Sequence, residues 1–447
     1  MKEKILQIKD ELIESIIQAV NYQSVSNKTN LVDIPFGEEC KNVLEYVLSL
    51  GKKLGFKTKN IDGYCGYIEF GEGKELLGII GHLDVVPANK EDGWTTDPYK
   101  AEVRNNKIYG RGTIDDKGPV MACLYAMKVV SKTTKLNKRV RLILGLNEEK
   151  DWECIERYKK TEEMPTVSFS PDANFPCIYA EKGIINLCIK TVFSLEEDTI
   201  IELTTGDNAI NVVPKAATAI IDSNNIEKFV IKENITIDRL ADNKVKITAF
   251  GKAAHAAFPT LGDNAATKLL KYLNTIYKNK FLMQIEIKDF YKLENPTYLG
   301  GENLTDESGT LTSNIGVLQY DNGELLIKTN LRVPVNTSFE QLEETCKESL
   351  SGFDYYFEHA NSKLYVPKEN YLVQTLTKIF NETTGLNEEP LAIGGGTYAR
   401  AFENCISYGM TMPNEDDLCH QVDECVDIGN LLLATEIYAK AMIELSN

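Results

Sequence analysis

The chain has 447 residues, of which 43% are hydrophobic and 26% charged, so it is globular with two or three domains and neither fibrous nor disordered. Its 49 Lys and Arg against 66 Asp and Glu give a net charge of −17, which argues against nucleic acid or an anionic membrane as a partner. No run approaches the roughly 20 apolar residues that cross a bilayer.

The N-terminal segment is predicted to be a surface helix. Its apolar residues from Ile5 to Val20 recur at helical spacing with charges between them, which is not the pattern of a signal peptide. The ten cysteines include no CxxC pair, so we expect reduced thiols and no structural zinc finger. These features favour the cytoplasm.

The next elements alternate short apolar runs with helices up to about residue 190. Strands are predicted at residues 76–81, 140–146 and 166–170, and a helix at 118–130. Alternation of this kind predicts an α/β domain with a mainly parallel sheet covered on both faces.

The pattern changes between about residues 184 and 360, where longer alternating strands and a helix at 265–276 predict an α+β domain with antiparallel sheet. Helices at 371–383 and 428–445 then return to the first pattern. We therefore predict a metal-binding catalytic domain from residues 1–185 and 362–447, with residues 186–361 forming an inserted lid domain. Three consecutive domains are the alternative.

Polar residues follow the predicted strands at the positions where open α/β sheets place their sites. His82 follows the first run, and Asp84 lies two residues on, where it can accept a hydrogen bond from the imidazole and fix its tautomer. A hydrogen-bonded structural histidine fits that pattern equally well. The other candidates, each ambiguous alone, are Asp115, the pair Glu148 and Glu149, Asp172, and His420 near the C-terminus.

Two His, two Asp and a Glu form a mixed nitrogen and oxygen ligand set. Such a set suits two divalent cations bridged by a carboxylate, with Zn²⁺ preferred and Mn²⁺ as the alternative. A second glutamate beside a ligand glutamate can move the proton of a cation-activated water.

Eight motifs in a fixed order carry a family resemblance: GHLDVVP, DGWTTDPY, GRGTIDDKGP, the Glu148-Glu149 pair, SPDANFP with EKG, GKAAHAAFP, GGGTYAR and CHQVDE. Together they resemble the dinuclear-metal exopeptidases of the aminoacylase/carboxypeptidase G superfamily, and most closely the bacterial PepV-type dipeptidases. The resemblance extends from about residue 21 to the end of the chain.

The resemblance implies a role for each candidate. It assigns one cation to His82 and Asp172 and the other to Glu149 and His420, with Asp115 as the bridge. It makes Glu148 the general base and Asp84 the partner of His82. It also implies a cis peptide bond between Asp115 and Asp116.

Further residues are implied to contact the substrate. His255 of the lid would stabilise the oxyanion, and Asn211 and Arg332 occupy positions similar to substrate-binding residues of the family. An Arg fork suits a dipeptide's free carboxylate, although Arg332 also fits an ordinary strand-end charge. The Gly-rich segment would present backbone N–H groups to the ligand at Gly395, Gly396 and Thr397.

Two departures and one cysteine pattern stand out. Asn147 stands where an Asp is common in the family, and Lys150-Asp151-Trp152 replaces a turn rich in Ser and Gly. Cys154 and Cys177 are each the fifth residue after a predicted ligand, which suggests a redox-sensitive disulfide, with two buried thiols as the alternative.

The sequence thus predicts a metallopeptidase that acts as a monomer and hydrolyses dipeptides, including Xaa-His or β-Ala-His, with a water activated by two metals. An N-acyl amino acid deacylase acting on acetylornithine or succinyl-diaminopimelate is the first alternative. A metal-dependent peptide-binding protein without turnover is the second.

Overall fold

The computed structural model describes residues 1–240, 242–361 and 363–447, and the chain forms two compact units. The first unit comprises Met1–Tyr179, Val366–Leu391 and Gly396–Asn447, and the second comprises Ala180–Tyr365 and Ala392–Gly395. The predicted return to the first domain at Ser362 lies outside the described residues. Two short strands, Ile178–Glu181 and Leu391–Ile393, contain points where the chain passes from one unit to the other.

The sheet of the first unit is mixed, with parallel strands at its centre, rather than clearly mainly parallel as predicted. Four central strands run parallel, but a hairpin pairs antiparallel with them through Cys65–Phe70 at one edge, and Ile178–Glu181 pairs antiparallel with Cys405–Ser407 at the other. A tight turn can join only antiparallel strands, and this hairpin went unrecognised in the sequence. The strands in spatial order are Lys57–Ile61, Cys65–Phe70, Arg139–Gly145, Leu76–His82, Val167–Ser170, Cys405–Ser407 and Ile178–Glu181, the last of which continues into the second unit.

Seven α-helices of the first unit flank this sheet. The predicted helix at 118–130 is confirmed as Lys117–Ser131, which is buried along nearly its whole length and packs against Ile428–Leu445. The predicted N-terminal helix is two helices, Lys2–Gln7 and Lys9–Val20. The other helices are Glu38–Lys53, Glu153–Thr161 and Tyr371–Thr384.

A small antiparallel sheet of the first unit joins distant parts of the chain. Its strands are Glu102–Arg104, Lys107–Tyr109 and Cys425–Asp427, with Cys425 opposite Tyr109. The turn that contains His420 therefore lies beside the loop that contains Asp115. A two-stranded parallel ladder, Ala173–Asn174 with Met410–Thr411, completes the strands of this unit.

The second unit is an eight-stranded antiparallel sheet with helices, as predicted for an α+β domain. Its helices are Ala265–Tyr277, Lys280–Ile287 and Phe339–Ser349, and one apolar core joins them to the sheet. The strands in spatial order are Ile235–Arg239, Lys244–Phe250, Ala216–Asp222, Thr199–Thr204, Thr312–Asp321, Glu324–Val333, Gly183–Val192 and Asp354–Asn361. Short strands at Thr305–Asp306, Gly309–Thr310 and Leu364–Tyr365 lie outside this order.

No helix in the described part of the chain is both long and apolar enough to cross a membrane. All ten cysteines are described, and all are free thiols.

Candidate metal centre

The parallel strands of the first unit bring three of the predicted segments to one edge of the sheet. His82 is the last residue of Leu76–His82, and Asp172 lies two residues beyond Val167–Ser170. Glu148 and Glu149 follow Arg139–Gly145, which is the other neighbour of the His82 strand. Because neighbouring parallel strands end at the same edge, these side chains converge.

Asp115 lies between the two histidines. Its Oδ1 is 3.0 Å from Nε2 of His82, and its Oδ2 is 3.0 Å from Nε2 of His420. Each oxygen of one carboxylate therefore faces a different imidazole, which is the arrangement that a bridging ligand requires.

Two more carboxylates complete the cluster. Oε1 of Glu149 is 3.0 Å from Nε2 of His420, and Oδ2 of Asp172 is 3.6 Å from Nε2 of His82. Ligand atoms of His82, Asp115 and Glu149 lie within 4.8 Å of one another, as do those of His82, Glu148 and Asp172. All six residues are thus brought together within the first unit.

Asp84 contacts both His82 and the glutamate turn. Nδ1 of His82 lies 2.9 Å from the backbone oxygen of Asp84 and 3.5 Å from its carboxylate Oδ1. The two carboxylate oxygens accept the backbone N–H groups of Glu148 and Glu149 over 3.1 and 3.2 Å. The backbone carbonyl is therefore the closer acceptor for the imidazole, a contact that the sequence did not suggest.

The pKa values in the cluster are shifted because several buried carboxylates face only two imidazoles that could balance their charge. Burial and Asp115 raise the pKa of Glu149 to about 7, and burial with Asp172 and Glu149 raises the pKa of Glu148 well above its usual range. Burial alone would lower the pKa of His420, but Asp115 and Glu149 raise it to about 11. The pKa of Asp115 is lowered despite its burial, because His420 and His82 both face it.

The donor set fits divalent cations. Nε2 of His82 is buried and, among the residues that the structure describes, has no hydrogen-bond partner, although carboxylate oxygens surround it. Its other ring nitrogen faces an acceptor, which leaves Nε2 as the atom available to a metal. Imidazole nitrogens and carboxylate oxygens at such spacing are ligands for Zn²⁺ and Mn²⁺.

The loop that carries Asp115 has the predicted backbone geometry. The Asp115–Asp116 peptide bond is cis, as the family resemblance implied. Oδ2 of Asp116 accepts the backbone N–H of His82 over 3.0 Å, which joins this loop to the strand end.

The predicted substrate residues of the second unit lie on two of its segments. His255 forms an isolated bridge with Val212, and its Nδ1 accepts the backbone N–H of Ala257 over 3.2 Å. The backbone oxygen of Asn211 accepts the N–H of Ala256, so Asn211 and His255 belong to adjacent segments.

Arg332 is 3% exposed and lies in the strand Glu324–Val333. Its Nε donates to Oδ1 of Asn330 and its Nη1 to the backbone oxygen of Gly394, both over 2.8 Å. These contacts hold the guanidinium in one orientation, unlike a solvated strand-end charge.

The Gly-rich segment divides between the units. Gly395 belongs to the second unit, and Gly396 and Thr397 belong to the first. Oγ1 of Thr397 accepts the N–H of Ala399 over 3.1 Å and lies 2.6 Å from Oγ of Ser407, so this hydroxyl has a structural role.

The two cysteines of the suggested pair have different partners. The Cys154 thiol lies 2.7 Å from the hydroxyl of Tyr398, and the Cys177 thiol lies 3.3 Å from Oγ1 of Thr377. Burial raises the pKa of each thiol to about 12, which disfavours the thiolate that disulfide formation requires. The contacts favour two buried thiols, and the pairing stays a prediction.

The departures from the family pattern have local structural reasons. Nδ2 of Asn147 donates to Oγ of Ser26 over 3.0 Å, which an ionised Asp could not do, and Oδ1 of Asn147 accepts the N–H of Glu153. Trp152, with a left-handed φ of 60°, packs edge-to-face on Tyr398 at 5.3 Å, and Tyr398 packs on His82 at 6.0 Å. Through Trp152, the unusual turn thus packs against Tyr398, the residue that contacts the His82 ring.

Sequence reasoning missed one acid of the site. Glu424, in the CHQVDE motif, is fully buried and accepts hydrogen bonds from the loop that carries Asp115. In the sequence, Glu424 is visible as an acidic residue two positions after the apolar Val422, in the same CHQVDE motif that contains His420. Nothing in that local pattern distinguishes a buried acid from a solvated one.

Comparisons with known proteins find similar sequences over nearly the whole chain. The family model described as "Peptidase family M20/M25/M40" matches residues 78–444. A Bacillus subtilis protein named "Putative dipeptidase YtjP" is 37% identical, with 99% of each chain covered. A Staphylococcus epidermidis protein named "Putative dipeptidase" is 35% identical, again with 99% of each chain covered.

Solved structures share the fold at lower sequence identity. Human carnosine dipeptidase 1 superposes with a TM-score of 0.60 and 15% identity, covering 100% of this chain and 98% of its own. Dug1p of Saccharomyces cerevisiae gives a TM-score of 0.61 with 15% identity and the same coverage. Aminoacylhistidine dipeptidase of Vibrio alginolyticus gives 0.58 with 14% identity, covering 98% and 96%.

Proposed function

The chain belongs to peptidase family M20/M25/M40, and on that premise we propose that it is a metal-dependent dipeptidase whose site holds two divalent cations. The relatives that are named as dipeptidases cover nearly its full length, which supports a short peptide as substrate. One observation carries the two-cation reading: Asp115 directs separate oxygens to His82 and His420.

These contacts support the proposed ligand assignment. His82 and Asp172 would hold one cation, Glu149 and His420 would hold the other, and Asp115 would be shared between them. The mixed ligand set suits Zn²⁺, and Mn²⁺ is the second choice because the same atoms suit it. When bound, such cations lower the pKa of water and polarise a carbonyl group.

Glu148 is the proposed proton carrier. It lies beside His82 and Asp172, where a carboxylate can accept a proton from water and return it to the departing amine. Asp84 holds the backbone of Glu148 in position, since its carboxylate accepts the N–H of that residue. His82 keeps its tautomer through the Nδ1 contact to the backbone oxygen of Asp84.

The second unit is proposed to bind the peptide as a lid. His255 donates to the oxyanion, and Arg332 binds the free carboxylate of the substrate, with Asn211 beside the oxyanion donor. Gly395, Gly396 and Thr397 present backbone N–H groups to the peptide. Recognition of a carboxylate at fixed distance from the scissile bond favours dipeptides over longer chains.

We further propose a monomeric enzyme of the cytoplasm that needs neither nucleic acid nor membrane. Ten free thiols suit a reducing compartment, and a lid of about this size can complete the site within one chain.

The test is amine release from a panel of Ala-Ala, β-Ala-His, Asp-Ala, one tripeptide and N-acetylornithine, with Zn²⁺, Mn²⁺ or chelator added. We expect cleavage of dipeptides alone, abolished by chelator. Cleavage of only N-acetylornithine would instead assign a deacylase. Tight dipeptide binding without turnover under either metal would assign a binding protein.

A further inference from the structure

The buried carboxylate of Glu424 holds the loop that carries Asp115. Its Oε1 accepts backbone hydrogen bonds from Gly112, Ile114 and Asp115 over 3.0, 2.9 and 3.2 Å. Its Oε2 accepts from Nη1 of Arg111 over 2.6 Å. Four donors from one five-residue loop therefore converge on a single side chain.

The same glutamate ends the turn that carries His420. The backbone oxygen of Glu424 accepts the N–H of Gly110 over 3.0 Å, where the strands Lys107–Tyr109 and Cys425–Asp427 pair. One residue earlier, Oδ1 of Asp423 accepts both the N–H and the hydroxyl of Thr95 over 2.9 Å. The turn is thus attached to the Asp115 loop through Glu424 and to Thr95 of the DGWTTDPY motif through Asp423.

The two halves of the centre are built differently. His82 is the last residue of a central strand, and Asp172 closely follows the next strand, so the hydrogen-bond ladder of the sheet positions both. Asp115 and His420 lie on loops, and His420 has a left-handed φ of 62° and a side chain that is 49% exposed. The distance between Asp115 and His420 therefore depends on the contacts that join these two loops.

We propose that Glu424 is a positioning residue that fixes Asp115 relative to His420, so that binding of the cation at His420 and Glu149 depends on it. This inference rests on the proposed two-cation function. Without the carboxylate, the N–H groups of the loop lose a buried acceptor, and the loop adopts other conformations. The cation at His82 and Asp172 loses at most the shared oxygen of Asp115 and keeps its two strand-borne ligands, so its affinity falls less than that of the other cation.

The variants separate the amide contacts from the charge pair. Glu424→Ala removes all four side-chain contacts. Glu424→Asp keeps the charge but moves the carboxylate back by one methylene, and it serves as the test if the alanine variant does not fold. Arg111→Gln removes only the charge pair and leaves the three backbone contacts. Glu69→Gln is the matched control, because Glu69 is a buried acid paired with Arg141 over 2.6 Å in the same unit, outside the cation cluster.

The measurement is Zn²⁺ and Mn²⁺ stoichiometry of the full chain, by calorimetric titration after chelator treatment and by metal analysis after dialysis, with circular dichroism to verify folding. We expect two ions for the unmodified protein, Glu69→Gln and Arg111→Gln. For the folded Glu424 variants we expect one tight ion, with affinity for the second reduced about 10- to 100-fold.

The outcomes are distinct. Fewer than two ions in the unmodified protein would refute the two-cation function itself. Two ions in that protein and two equally tight ions in a folded Glu424 variant would overturn only the role of Glu424. Loss of the second ion in Arg111→Gln to the same degree would also overturn it, because the charge pair rather than the loop contacts would then be responsible.

Discussion

Oδ1 of Asp84 accepts the backbone N–H of Glu148 over 3.1 Å, and the same oxygen lies 3.5 Å from Nδ1 of His82. The other oxygen accepts the N–H of Glu149 over 3.2 Å. One buried carboxylate therefore holds the turn of the two glutamates and also places a negative charge beside the imidazole. A change at Asp84 should disturb the proton carrier and the ligands together.

Asp84→Asn should lower kcat and the affinity for divalent cations by about 10- to 100-fold each. An amide has one acceptor oxygen, so either Glu148 or Glu149 loses its backbone partner, and the negative charge near His82 is lost. The measurements are kcat on the best dipeptide and cation affinity by calorimetry.

Asp427→Asn is the control for the Asp84 variant. Oδ1 of Asp427 also accepts two backbone N–H groups, from Gly429 and Asn430, but it does so at the start of the C-terminal helix. The amide of this variant keeps an accepting oxygen at the helix start, so the variant should keep both kcat and cation affinity. An Asp84→Asn enzyme that matches it in both measurements would contradict the proposed link.

The positions of the candidate ligands were predictable because a short apolar run followed by a polar residue marks the end of a buried strand in a sequence. The apolar run before His82 and the run before Glu148 each end at a polar residue, and the structure places both at one sheet edge. The second unit was predictable as antiparallel because its strands alternate, as in Lys244–Phe250, whose residues are alternately buried and accessible.

Other features could not be predicted because they depend on distant chain segments. The buried role of Glu424 follows from the pairing of Cys425–Asp427 with Lys107–Tyr109, two strands more than 300 residues apart in the chain. The backbone contacts of Asp84 are equally invisible in sequence, since any residue could supply the N–H groups. The antiparallel edge hairpin was missed because Lys57–Ile61 is too polar to read as a strand.

Glu148→Gln should lower kcat by about 10²- to 10⁴-fold while the protein still binds two cations. The amide keeps the size of the side chain but cannot accept a proton from water, and the proposed ligands remain. The measurements are kcat by amine release and cation stoichiometry after dialysis. Glu153→Gln, at a half-buried acid that pairs with Lys28 outside the cation cluster, should leave both unchanged. A Glu148→Gln enzyme with near-normal kcat would remove Glu148 from the role of proton carrier.

Arg332→Gln should raise KM for dipeptides about 10- to 100-fold with a smaller effect on kcat, since hydrogen bonds to a charged group contribute about 1.5–3 kcal/mol. The same variant should barely change KM for dipeptide amides, which lack the carboxylate. Lys328→Gln is the matched control, because Lys328 lies on the same strand and pairs with Glu358. If the variant affects free dipeptides and amides equally, Arg332 does not bind the carboxylate.

Removal of the cations should make the protein less stable as pH rises. In the metal-free centre the pKa of Glu149 is about 7 against 4.5 for an ordinary Glu, so between these values the folded state keeps a proton that the unfolded chain has released. The pKa of His420 is about 11 against 6.5, so above pH 6.5 the folded state again binds the extra proton. A folded state that binds more protons loses free energy of unfolding as pH rises.

The chelator-treated protein should therefore melt at a lower temperature at pH 8 than at pH 5.5, and added Zn²⁺ or Mn²⁺ should raise the melting temperature more at pH 8. The remaining ionisable groups contribute their own pH dependence. Comparison with a variant of the centre cancels that contribution, because both proteins share those groups. Glu149→Gln removes one raised pKa and also one of the two carboxylates that raise the pKa of His420, so it should flatten the difference between the two pH values in the metal-free state. An unchanged difference in this variant would show that the acid cluster does not set the pH dependence, and that cation binding relieves no repulsion there.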